Sequence, residues 1–320
     1  MARVGVTGAG GFIGAALCER LVADGHAVVG IDFADPARAA VERAGAEFRA
    51  ADVTDPAATE RALAGCELVV HTAAIVGDHG TMDDFVRVNV GGTRTVIDAA
   101  ERAGAGRVLH LSSVAVWGYE FAHDLTEDAA PRPCGDPYID TKGASELLAL
   151  RRGATVVRPG DVYGPRSEPW ILRPLRALQA GAFALPGKGE GVMTPIYVDD
   201  LVDCCVRALT DPGAAGRTYT CWDGERVSAR DFFAHHAGWA GRPLRTLPRP
   251  LLAAGARLAA RIDTARGRRS DVSAAALTFV SRRAAYPNAR AREELGWEPR
   301  VPLAEGMRRS EEWLRAEGLV

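Results

Sequence analysis

An apolar run at Arg3–Thr7 leads straight into Gly8-Ala9-Gly10-Gly11-Phe12-Ile13-Gly14, and a helical pattern follows near residues 12–24. Few folds accommodate that junction. Gly8 permits a tight turn, Gly11 lets the backbone approach a phosphate group, and Gly14 lets the new helix pack closely on the strand it has just left. The helix N-terminus, with Phe12 and Ile13 in its first turn, presents free N–H groups and a partial positive charge. Gly8, Gly11, Phe12, Ile13 and Gly14 are therefore expected to hold the pyrophosphate of a dinucleotide.

The alternation continues down the chain. Strand-like runs at Ala27–Asp32, Glu47–Ala50, Leu68–Thr72, Arg107–Ser112 and Thr155–Arg158 alternate with helical patterns near 36–44, 56–64, 82–103 and 137–152. The strands are continuous apolar runs, as expected where helices cover both faces of a parallel sheet. This predicts an α/β fold with a doubly wound parallel sheet. After Tyr163-Gly164-Pro165 the rhythm becomes irregular, with a helix over 169–181 and a short strand feeding a helix over Pro195–Leu209. From about Asp223 the chain reads as helical. We expect a nucleotide-binding domain at 1–165 and 192–222, and a smaller, mostly helical substrate-binding region at 166–191 and 223–320.

Composition excludes several classes. Net charge is −2 with both signs interspersed, which does not suit a nucleic-acid partner. No apolar run approaches the roughly 20 residues that span a bilayer. An apolar strand beginning at Val4 is taken to mean that no signal peptide is expected ahead of it. The six cysteines (18, 66, 134, 204, 205 and 221) show neither a CxxC pair nor ligand spacing, so no metal site is expected. Cys204 and Cys205 read as packing residues, and a reducing, cytoplasmic setting is expected. Leu251–Ile262, flanked and interrupted by Arg249, Arg257 and Arg261, is a basic amphipathic stretch that reads as a lid or packing helix, with membrane contact as the alternative.

Asp32 closes the second strand, eighteen residues after Gly14. A carboxylate there accepts hydrogen bonds from a ribose diol and repels a 2′-phosphate, so NAD is expected rather than NADP. Arg38 is near enough in sequence to temper that preference. Asp52 and Val53, after the third strand, read as an adenine contact, with a helix N-cap region as the alternative given Thr54-Asp55-Pro56.

Only two of the 39 basic residues are lysine, Lys142 and Lys188. A lysine in so arginine-rich a chain is a candidate for work that needs a compact ammonium of adjustable pKa. Lys188 sits in a Gly-Lys-Gly turn and is expected to be solvated. Lys142 lies one helical turn after Tyr138. A phenol titrates near pH 10, and a neighbouring ammonium is expected to lower that value. Lys142 is also placed to hydrogen-bond the nicotinamide ribose. Ser113 follows the fifth strand at the carboxyl edge of the sheet, where ligands bind in such folds. Ser113, Tyr138 and Lys142 are the candidate catalytic residues.

These pieces, with DV (52–53), HTAA (71–74), NVGGT (89–93), SSVAVWG (112–118), YIDTK (138–142), RPGDVYGP (158–165), YVDDL (197–201) and ARAREELGWEP (289–299), run through nearly the whole chain in order. The chain resembles the extended short-chain dehydrogenases/reductases of the NAD-dependent epimerase/dehydratase superfamily. That resemblance implies a Rossmann-type sheet and selects Ser113 over Ser112 as the catalytic serine. It adds Thr72, Ala73, Ala74, Asn89, Pro159 and Val162 to the cofactor-binding set. It further implies a homodimer through the helices at 82–103 and 137–152. Trp117 stands where a tyrosine is usual before Gly118, which is expected to alter the substrate wall.

The resemblance also bears on the reaction. Sugar 4,6-dehydratases of this kind carry an acid beside the catalytic serine, where this chain has Ser113-Val114-Ala115. Nucleotide-sugar epimerases commonly have an asparagine after the sixth strand and an arginine before the Val-x-Asp motif. Here the corresponding stretches are Arg158-Pro159-Gly160-Asp161 and Met193-Thr194-Pro195. Losing a charge-assisted phosphate contact is costly, and Asp161 is expected to repel a diphosphate. The Arg-Pro-x-x-Val-Tyr-Gly pattern resembles the hydroxysteroid-dehydrogenase and dihydroflavonol-reductase branch. Val76, Ser113, Trp117, Gly160, Tyr163, Trp170 and Met193, with Pro195, are the expected substrate pocket. The expectation is alcohol/ketone oxidoreduction on a hydrophobic cyclic small molecule. A nucleotide-sugar 4-epimerase with tightly bound NAD, in which Arg173, Arg176 or C-terminal arginines replace the anchors, is the alternative, and a non-catalytic NAD-binding regulator is the alternative of another class.

Overall fold

The computed structural model describes residues 1–77, 80–118, 125–256, 274–283 and 285–320. Six strands alternate with helices: β1 (Arg3–Thr7), α1 (Phe12–Ala23), β2 (Ala27–Asp32), α2 (Asp35–Arg43), β3 (Glu47–Ala50), α3 (Pro56–Leu63), β4 (Leu68–His71), α4 (Met82–Phe85), α5 (Thr93–Arg102), β5 (Arg107–Leu111), α6 (Pro137–Arg151) and β6 (Thr155–Pro159). Every strand ends within one residue of the expected boundary. The helix expected over 82–103 is broken by a π-helical turn at Val86–Gly92. Beyond β6 come β7 (Asp161–Tyr163), α7 (Arg173–Gln179), β8 (Ala184–Pro186), β9 (Val192–Met193), β10 (Pro195–Tyr197), α8 (Val198–Thr210) and β11 (Thr218–Cys221).

The main sheet has seven parallel strands in the order β11-β6-β5-β4-β1-β2-β3. The chain runs outward from β1 to β3, then returns to lay β4 on the other side of β1. This reversal leaves a crevice beyond the carboxyl ends of β1 and β4, the place where open α/β sheets bind ligands. Both faces are covered. Val4, Val6, Leu17, Leu21, Leu109, Leu201 and Cys204 belong to one buried cluster, and Val29, Ile31, Leu63, Val69 and Val96 to the other. Cys204 and Cys205 are both buried there as free thiols.

The segment after Asp223 is less helical than expected. Val227–Ser228 pairs antiparallel with β9, and Arg245–Leu247 pairs parallel with β8. These strands flank helix α9 (Ala229–Ala240). Backbone groups at the rim of β8 and β9 need partners, and the returning chain supplies them. The YVDDL and ELGWEP strings are parts of one tether: Trp297 Nε1 donates to the Asp200 carbonyl at 2.9 Å, and the Asp200 carboxylate accepts from the Arg300 and Val301 N–H groups at 3.0 Å each. The amphipathic stretch at Leu251–Ile262 is helical through residue 256, and its remainder lies outside the described residues. No helix among the described residues is long and apolar enough to cross a membrane.

Candidate active site

A cleft of about 610 Å³ opens over the β1–β4 crevice. Its nucleotide end is built from the first βα turn. Gly8 adopts φ +70°, a left-handed conformation open to glycine at little cost, and a methyl on Gly14 would run into the Gly8 carbonyl. The N-cap of α1 is Gly11, which has no side chain to occupy the first-turn N–H groups. Gly8, Gly11, Phe12, Ile13 and Gly14 all line the cleft. Asp32 lines it too, fixed by N–H groups of Gly10 at 3.0 Å and Ala34 at 3.3 Å. Arg38 turns away onto the Phe48 ring, 4.5 Å from its centroid, and pairs with Glu42. Asp52 and Val53 line the cleft; the Asp52 carboxylate accepts from the Thr54 N–H and hydroxyl, and the N-cap of α3 is Asp55. Thr72, Ala73, Ala74, Pro159 and Val162 complete the wall. A glycine cradle that a Cβ would fill, uncapped N–H groups and a carboxylate at the far end fit NAD.

The other end is set by α6. Asp136 caps the helix by accepting from the Tyr138 and Ile139 N–H groups at 2.9 and 3.0 Å, and Pro137 occupies the first turn. Asp140 reaches back to the N–H groups of Cys134 and Gly135. These bonds fix where Tyr138 enters the cleft. The Ser113 side chain lies beside the phenol and opposes its upward shift, and it accepts from the Ala115 N–H at 3.1 Å. Lys142 is 4% exposed and donates to the Leu111 carbonyl at the end of β5. Tyr138, Ser113 and Lys142 thus meet at one wall. Lys188, by contrast, lies exposed between Gly187 and Gly189.

Burial lowers the Lys142 ammonium to about 8, against the pull of Glu146. The expected lowering of the phenol is corrected here: burial pushes Tyr138 upward, and Ser113 is the group that opposes it. The ammonium is turned to the Leu111 carbonyl, which explains its weak hold on the phenol. Two histidines beneath are neutral, His71 lowered to about 3 by burial and Lys142, and His110 well below its ordinary value for the same reasons. Thr93 donates to the Asn89 carbonyl at 2.6 Å, so His71 Nε2 donates to Thr93 and Nδ1 accepts from Thr7.

A family model for the NAD-dependent epimerase/dehydratase family matches residues 4–221. The chain belongs to that family. Among its relatives is a UDP-glucose 4-epimerase of Mycolicibacterium smegmatis, 34% identical over 97% of each chain. A 2-alkyl-3-oxoalkanoate reductase of Stenotrophomonas maltophilia is 31% identical over 74% of this chain and 76% of its own. The solved structure of MoeE5 in complex with UDP-glucose and NAD has 25% identity and a TM-score of 0.77, covering 98% of this chain and 99% of that one. Epimerase/dehydratase membership makes this chain an NAD-dependent enzyme of the extended short-chain dehydrogenase/reductase type.

Against that family background, five expected site residues lie elsewhere, among them Pro195, buried in β10 beside β7. Trp117 is 1% exposed, stacked on Tyr286 and covered by Arg158, so it is core and not substrate wall. Tyr163 and Met193 are fully buried, the first against Tyr197 and Phe232, the second on a strand paired with Val227. Asn89 does not line the cleft; its amide bonds both backbone groups of Ile75 and the Thr141 hydroxyl, holding the wall at Ile75–Val76 against α6. Asp161, expected to repel a diphosphate, is buried in an ion pair with Arg282 and its charge is answered there. Val76, Gly160 and Trp170 do line the cleft. So do Phe33, Ile75, Arg87, Val88 and Pro169, which sequence reading missed. Phe33, 77% exposed beside Asp32, was open to discovery as a large apolar residue following the carboxylate expected to meet a ribose. Arg87 and Val88 precede Asn89, but only the π-helical turn aims them at the cleft.

Proposed function

We propose that this enzyme interconverts a secondary alcohol and a ketone on an apolar cyclic substrate, reversibly and with exchangeable NAD. Bound NAD accepts or supplies the hydride at its nicotinamide. Tyr138 takes or gives the proton at the reacting oxygen, and Ser113 offers that oxygen a second hydrogen bond. Lys142 contributes a buried ammonium placed to donate to the nicotinamide ribose.

The observation that carries this reading is the substrate end of the cleft. Its wall is Ile75, Val76, Pro169 and Trp170. Gly160 brings no side chain, Met193 is buried, Arg282 is committed to Asp161, and Arg176 pairs with Glu168. A dianionic ligand has few of its expected partners here. A nucleotide-sugar epimerase is the second reading, favoured by the relative that is 34% identical over 97% of the chain and by Arg87, which lines the cleft and whose ion-pair partner among the described residues is Asp84 at 3.8 Å.

Purified protein separates the two. NADH appearing when NAD and a panel of cyclic secondary alcohols are added supports the oxidoreductase. Retained NAD, no net NADH, and conversion of UDP-glucose to UDP-galactose would replace it with the epimerase. The reading includes a homodimer packed through the 82–102 region and α6, where Val86 and Leu147 are exposed; sedimentation at monomer mass would remove that element.

A further inference from the structure

Helix α6 presents Tyr138, Lys142 and Glu146 on successive turns of one face. The third is unexpected. Glu146 has no exposed surface, and its carboxylate binds Arg158 through both oxygens, with Nε at 2.8 Å from Oε2 and Nη2 on Oε1. Arg158 is 2% exposed. The same Oε2 accepts from the Ser112 hydroxyl at 2.6 Å. Arg158 in turn donates to the Glu127 carbonyl at 2.9 Å and lies over the Trp117 ring at 4.3 Å. Burying two charges costs more than burying apolar groups of the same volume, so stability alone is a poor reason for this pair.

Its connections point to the reaction instead. Ser112 precedes Ser113, and Arg158 precedes Pro159 and Gly160 of the cleft wall. One carboxylate thus ties the ends of β5 and β6 to the helix that carries Tyr138 and Lys142. The charged and titratable groups facing Lys142 are His71 on β4, His110 on β5, and Tyr138 and Glu146 on α6, with Arg158 on β6 behind Glu146. Both histidines are neutral, so Glu146 is the anion on that side.

We infer that Glu146 is a positioning residue for this site: it sets Ser113 and the cleft wall through Ser112 and Arg158, and its carboxylate sustains the Lys142 ammonium. The inference rests on the assignment of Tyr138 and Lys142 as the proton-handling pair, but its first test, a titration, needs no substrate.

With only two lysines in the chain, protein labelled with ¹³C at lysine Cε gives two signals, and Lys188→Arg assigns them. In the wild type the Lys142 signal titrates near 8. In Glu146→Gln, which leaves Arg158 as an uncompensated buried cation, the midpoint falls by about one unit or more. In Glu146→Leu/Arg158→Met, with both charges gone, it returns toward the wild-type value. A purely structural Glu146 would leave the midpoint unmoved, and that result in Glu146→Gln overturns the inference. Should Glu146→Gln not fold, Ser112→Ala and the double variant decide. Ser112→Ala keeps the ion pair and the midpoint but is expected to lower turnover about tenfold; wild-type turnover in Ser112→Ala, or a double variant displaced by a unit, overturns it. A Tyr138→Phe enzyme that still turns over would sink the functional reading and leave the titration result standing.

Discussion

Lys142→Met removes the ammonium from its buried place and substitutes a chain of similar length. The fold holds that ammonium near 8 where an unfolded lysine sits at 10.5. At about 1.4 kcal/mol per unit, the folded state bears roughly 3 kcal/mol for keeping it charged below pH 8. Methionine lifts that cost but loses the hydrogen bond to the Leu111 carbonyl, worth about 1 kcal/mol. The net is a variant more stable by about 2 kcal/mol at pH 7, a rise of a few degrees in Tm. Between pH 8 and 10.5 the unfolded wild type binds more protons than the folded one, so wild-type stability climbs with pH there and the variant's advantage shrinks. Thermal unfolding of both proteins at pH 7, 8, 9 and 10 reads this out, alongside loss of turnover in the variant. A Lys142→Met protein less stable than wild type at pH 7, or an offset independent of pH, would refute the reasoning.

Two glycine substitutions separate folding from binding: Gly14→Ala drives a methyl into the Gly8 carbonyl and should cost about 1–3 kcal/mol in chemical denaturation. Gly11→Ala meets only the Gly8 oxygen, at 3.2 Å, so it should fold nearly normally while its methyl in the cleft weakens NAD binding about tenfold or more, measured by calorimetry. Asp32→Ser takes away the carboxylate that would accept from the ribose diol, and the ratio of kcat/KM for NAD over NADP should fall by about tenfold or more. Asp161→Asn leaves Arg282 buried and unpaired, and a loss of about 3 kcal/mol is expected in urea unfolding.

Most of the sheet was readable because parallel strands buried on both faces leave largely apolar runs, as in β2, β4 and β5, while the edge strand β3, with Glu47 and Arg49, was marked by its place in the alternation. The glycine loop and the Tyr138/Lys142 spacing were readable because each is local, fixed by one turn or one helix. What sequence could not show was which side of a residue faces the ligand. Trp117, Tyr163 and Met193 carry the right apolar chemistry for a substrate wall, yet tertiary packing claims all three for the core. Asp161 looked like a free repulsive charge because its partner, Arg282, lies 121 positions away. The short pairings of β8 and β9 with later chain escaped for the same reason: two- and three-residue strands have no period to detect.

Tyr138→Phe tests the central claim most directly. The hydroxyl that meets Ser113 at the cleft wall is removed while the ring, the α6 cap and the nucleotide cradle stay as they are. With the NAD-linked substrate identified as above, turnover should fall by roughly 10²–10⁴, with NAD affinity within about twofold of wild type. Turnover close to wild type with unchanged NAD affinity would contradict the account.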